Sequence, residues 1–161
     1  MNAAPSVARG AAVPSWPGAR HRSHAGPERT EVWRFTVLAN GYRLSGGLAS
    51  GDEVLRLMRA QVSQPISELA RWIVTHQVVS FAWHTCTLLP MFQFDRTTMT
   101  LRPGPRAATL ELSGVFDDWE LAEWWARPNS WLNDIAPVDR IAEDSSAVLQ
   151  AARADRFIAR G

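Results

Sequence analysis

The spacing of apolar and polar positions divides the chain into short elements. Trp33, Phe35 and Val37 alternate with Arg34 and Thr36, the period of a strand. Asn40-Gly41 follows, a hairpin-turn signal, and Tyr42 to Leu44 supply a short return strand. Ser50 and Glu53 match a capping box, which predicts a helix from Asp52 to Val62 with Leu55, Met58 and Val62 inward. Pro65 opens a second helix, with Ile66, Leu69, Ala70 and Ile73 as its apolar stripe. Val78 to Trp83 is β-branched and aromatic, so it reads as a strand, and Leu88 to Phe94 pairs back, with Pro90 forcing an edge or a bulge. Asp95 to Pro105 carries turn residues, and Ala107 to Val115 reads as a helix or a short extended piece.

The last third is organised around Phe116 to Asp139, which holds Trp119, Trp124, Trp125 and Trp131. Asp117 and Glu120 form a capping box with Asp in place of Ser, so a helix starts at Asp117 or Asp118 and stops before Pro128. Its apolar arc is broad: Leu121, Trp124, Trp125 and Pro128 mark one face, and Trp119, Ala122 and Ala126 a neighbouring one. Asn129 or Ser130 caps a short turn, Pro137 opens another, and a final helix runs from about Asp144 toward Arg160. Together these elements predict a mainly α fold with one or two small β hairpins (α+β). The expected core includes Leu55, Met58, Ile66, Leu69, Ile73, Phe92, Trp119 and Val148.

Residues 1–30 are rich in Ala, Pro, Gly, Arg, His and Ser and lack an apolar period. Such a segment buries too little surface to offset its ordering entropy, so a disordered tail is expected there. His21 and His24 form an HxxH pair within it and read as solvated side chains. The expected organisation is the tail at 1–30, an α+β region at 31–111 and a helical domain at 112–161.

Composition narrows the function. A net charge of +1 gives little steering toward nucleic acid or membrane. No apolar run approaches the roughly 18 residues of a membrane span. The single Cys86 has no internal partner, which fits a reducing compartment, and the cytoplasm is the expected location. No Gly-rich phosphate loop, paired His ligands or nucleophile with a base stands out, so no catalytic, cofactor-binding or metal site is expected. His76, His84 and Cys86 lack partners at ligand spacing.

The tryptophan-rich stretch resembles a known family. Asp118-Trp119, Trp124-Trp125, Pro128-Asn129, Leu132, Pro137-Val138-Asp139 and the closing Ala-Ala-Arg are similar to the toxin-binding domain of Xre/MbcA/ParS-like antitoxins. Leu89 to Asp95, read LPMFQFD, resembles the strand that precedes that domain, so the likeness spans roughly 89–161. Where that family usually carries a Gly-Gly pair, this chain has Asn133-Asp134, and Asn tolerates the left-handed backbone such a turn needs. The resemblance implies an antitoxin of a type II toxin–antitoxin pair. It would neutralise a RES-domain toxin that consumes NAD by covering the toxin's active site. The implied partner-binding residues are Trp124, Trp125, Pro128, Asn129, Trp131, Leu132, Pro137, Asp139, Arg156 and Arg160. Alternatives are a DNA-binding regulator with a degenerate helix-turn-helix near 66–83, and an orphan relative with another protein partner. Homo-oligomerisation is compatible with each.

Overall fold

The structure is a computed structural model and describes residues 27–161. The expected tail, with His21 and His24, lies almost wholly outside the described residues. The fold is α+β and mainly helical: the described residues form seven α-helices and one small three-stranded antiparallel sheet.

The first element, α1, spans Pro27–Tyr42 and corrects the expected hairpin. Phe35, Leu38 and Tyr42 fall at i, i+3 and i+7 and face the core, while Trp33 and Val37 are exposed. The alternation at 33, 35 and 37 therefore reflects two faces of a helix. Gly41 is not a turn residue either. A Cβ there would meet Ala126 Cβ at 2.8 Å, so glycine lets α1 approach α5 closely. Tyr42 is fully buried and donates its hydroxyl to the Ala122 carbonyl, and burial pushes its pKa well up.

Next come β1 (Leu48–Ser50) and α2 (Gly51–Met58), whose capping box of Ser50 and Glu53 forms as expected. The helix ends four residues short of Val62. The third helix, α3 (Pro65–Val74), buries Leu69 and Trp72, whereas Ile66 is 67% exposed and Ala70 faces solvent. The predicted stripe is thus rotated toward Trp72, whose ring packs against Phe94. Leu69, Trp72, Val54, Met58, Leu89, Met91, Phe94 and Met99 form a small core.

Residues 75–80 are not helical, so the second helix of a helix-turn-helix is absent from this segment. The strands β2 (Phe81–Trp83) and β3 (Cys86–Pro90) form a tight hairpin, and β1 adds to the other side of β3. Pro90 therefore ends the central strand rather than lying on an edge. The buried Gln93 side chain continues the pairing by accepting from Val79 N and donating to Val79 O.

The segment expected to be a turn up to Pro105 already contains α4 (Pro103–Leu112), because Pro103 suits a first helical turn. After it come α5 (Asp118–Ala126), α6 (Pro137–Arg140) and α7 (Ser145–Arg160). The main core centres on Trp125, fully buried, and gathers Leu38, Tyr42, Phe81, Phe92, Leu112, Leu121 and Val148. Of the expected core, Met58, Leu69, Phe92 and Val148 are buried, Leu55, Ile73 and Trp119 are half-buried, and Ile66 is outside. The expected boundary between residues 111 and 112 falls in the last turn of α4, and side chains on both sides of it share the main core.

Candidate protein-interaction surface

The surface of interest is assembled where α5 stops. The Asp117–Glu120 capping box starts this helix, with each residue's side chain accepting from the other's backbone N–H. Pro128 lacks an N–H and ends it. Asn129 then caps the short turn Ser130–Leu132 by accepting from Trp131 N at 2.9 Å. Asn133 and Asp134 both take left-handed backbone, with φ of 56° and 60°, as the Asn-Asp pair suggested. Asp134 N and Ile135 tie back to Asn129, closing the loop on itself.

One carboxylate fastens this loop to α7. Asp155 Oδ2 accepts from Trp124 Nε1 at 2.7 Å and from Asn129 Nδ2 at 2.8 Å. Its Oδ1 accepts from Trp131 Nε1 at 2.9 Å. Three donors, one from α5 and two from the loop, thus converge on one carboxylate. The sequence reading missed Asp155. A signal existed: an acid on the same helical face as the buried Val148, Ala151 and Ala152 demands a partner.

The expected partner-binding residues divide by burial. Trp125 is fully buried, with Nε1 directed at Thr109 Oγ1 at 3.2 Å. Leu132, Pro137 and Asn129 are buried as well. These four build the domain and offer no surface, because packed interiors have no room for a partner. Trp124 is half-buried and meets Trp125 edge-on at 5.2 Å. Pro128, Trp131, Asp139 and Arg160 are exposed, with Trp131 56% open. Arg156 is half-buried and pairs with Glu111, which also holds Arg153. Two apolar residues near the end of α7, Phe157 and Ile158, are exposed. Ile158 lies one turn beyond Asp155 on the same side of the helix.

A second polar knot braces α5 from the other side. Buried Glu123 takes two bonds from Arg34 of α1 and a further ion pair from Arg127. The Arg34 hydrogen bond is the main reason the Glu123 carboxyl lies below its ordinary pKa. Arg34 also lies 5.2 Å over the Trp119 ring, and Trp119 Nε1 donates to the Ala82 carbonyl at 3.2 Å. Trp119 is thereby tied to the sheet, where it packs against Phe81 and Trp83.

Among the described residues no group of three or more His, Cys, Asp or Glu is placed to hold a metal ion. None of their helices is long and apolar enough to cross a membrane. No protein-family model matches the chain, and comparison with curated proteins and with solved structures found no match.

Proposed function

We propose that the chain is a non-enzymatic, cytoplasmic protein-binding module that acts as the antitoxin of a type II toxin–antitoxin pair. Its partner is a RES-type toxin that consumes NAD, and it works by covering the toxin's active site. The observation that carries this reading is the presentation of Trp131. The indole is more than half exposed, yet its N–H is pinned to Asp155. An aromatic side chain fixed before contact loses little entropy on binding, and Trp and Arg dominate interface hot spots. Pro128 on the loop and Ile158, one turn beyond Asp155 on α7, are exposed as well. The family resemblance of residues 89–161 supplies the identity of the partner.

The test is co-purification of the tagged full chain from its source organism, followed by an NAD-consumption assay on the separated partner. The expected result is one abundant partner that consumes NAD alone and is silent in the complex, and that Trp131→Ala releases. A partner without NAD-consuming activity would favour the orphan reading with a different protein partner. A partner retained undiminished by Trp131→Ala would remove this surface from the function.

A further inference from the structure

A separate cavity of about 700 Å³ lies in the N-terminal half, between β1, α2 and the loop after β3. It belongs to no part of the Trp131 surface. Its size falls in the range of small-molecule sites, which are mostly apolar with a few placed polar groups. Leu48, Leu57, Met91 and Met99 supply the apolar wall. Methionine is flexible and polarisable, so such a wall adapts to an aliphatic or aromatic body.

The polar groups give the cavity a sign. Glu53 is its carboxylate, and that group is already engaged: Oε2 accepts from both Ser50 N at 2.7 Å and Ser50 Oγ at 2.9 Å. Arg56 and Arg96 also line the cavity. Among the described residues neither has an ion-pair partner, and Arg56 acts on Glu53 only at longer range. The backbone makes room for Arg96. Gly46 sits at φ 114°, and a Cβ there would stand 2.3 Å from Arg96 Nη2. The guanidinium therefore rests against a position that only glycine leaves open.

We propose that this cavity binds a small monoanion with an apolar tail, such as a medium-chain carboxylate. Arg96 holds the head group, Arg56 supports it, and the tail lies along Met91, Met99, Leu57 and Leu48. A planar guanidinium matches a carboxylate with two parallel hydrogen bonds. This site is independent of the antitoxin reading and stands or falls separately.

The experiment is a titration of the full chain, labelled with carbon-13 at its methionine methyls, with octanoate. Matched titrations use octyltrimethylammonium and 1-octanol. Met58, the last residue of α2, shares the small core with Met91 and Met99 but lies outside the cavity lining, so its signal separates direct contact from a general change of that core. The expected result is a saturable shift of the Met91 and Met99 signals by octanoate alone. Arg96→Leu should weaken it by about ten-fold or more, since a hydrogen bond to a charged group is worth that much. Arg96 is exposed, so this variant should fold, which a thermal melt checks. Absence of a saturable shift at about 10 mM octanoate, a concentration that would reveal even millimolar affinity, overturns the proposal. So does an equal response to the cation or the alcohol, and so does binding unchanged in both Arg96→Leu and Arg56→Leu.

Discussion

Trp131 and Asp155 are 24 positions apart, and the indole N–H of the first is held 2.9 Å from Oδ1 of the second. The same carboxylate takes Trp124 and Asn129, so one side chain fixes the geometry of the whole loop. Asp155→Ala removes the acceptor from three donors at once, two of them on residues that are at least half-buried. Leaving such donors unpaired costs on the order of 2 kcal/mol, because water cannot fully replace the lost acceptor. Urea unfolding followed by tryptophan fluorescence should show that loss. Asp155→Asn should cost less, since its one remaining oxygen still accepts. A loss below about 0.5 kcal/mol for Asp155→Ala, the level of an ordinary surface change, would show that the three bonds contribute nothing net.

Two neighbouring tryptophans should behave in opposite ways. Trp125→Ala empties the centre of the main core and should cost about 3–5 kcal/mol of stability. Trp131→Ala removes a half-open side chain and one hydrogen bond, so its stability cost should be about 1 kcal/mol or less. Its effect should fall on the partner, with affinity reduced about 30-fold if the indole is a central anchor. Thermal melts and calorimetric titration against the purified partner separate the two outcomes.

The Arg34–Glu123 pair makes stability depend on acid. The folded Glu123 carboxyl titrates below its unfolded value because Arg34 hydrogen-bonds its ionised form. Its contribution is therefore complete above the unfolded carboxylate range, about 4.3, and is lost as pH falls through the lower folded value. Glu123→Gln should be less stable than the parent at neutral pH. Its stability should also change less between pH 5 and the acid limb, where Glu123 no longer titrates. A parallel acid limb in denaturation curves of the two proteins would rule the pair out as a source of pH dependence.

Gly41→Ala sets two effects against each other. Alanine gains about 1 kcal/mol of helix propensity over glycine. The new Cβ, however, would stand 2.8 Å from Ala126 Cβ and 3.2 Å from the Ala126 carbonyl oxygen. Overpacking of this kind costs about 1–3 kcal/mol, and backbone on the far side cannot swing away as a long side chain would. The net expectation is a lower melting temperature. A rise would mean that α1 shifts off α5 at little cost.

What could be read from the chain followed the range of each interaction. Both capping boxes were legible because Ser50 with Glu53, and Asp117 with Glu120, bond across three residues and need nothing else. The left-handed backbone at Asn133 was legible too, because Asn tolerates that conformation by itself. The first helix was not, since Trp33, Phe35 and Val37 satisfy a strand period while Phe35, Leu38 and Tyr42 satisfy a helical one. The packing of Gly41 on Ala126 chooses between them, and that contact spans more than half of the described chain. Rotation of α3 likewise depends on Phe94 being where Trp72 can meet it. At the candidate surface, the sequence marked a stretch but could not divide its residues into buried and exposed. Trp125 and Trp131 have the same chemistry, and the packing of Phe92 and of Thr109 on α4 against the first makes it interior while the second stays outside.

The main core draws on residues from Leu38 to Ala152, and this limits how the proposed binding surface can be moved. A fragment of residues 112–161 grafted onto another protein would carry Trp131 and Asp155 without the α1 and most of the α4 side chains of the main core. Trp125 would then lose Phe92 and Thr109 as neighbours and be partly uncovered. Such a graft should be sticky rather than selective. Portability begins only where α1 is included, so the smallest transplantable unit is close to the whole described chain.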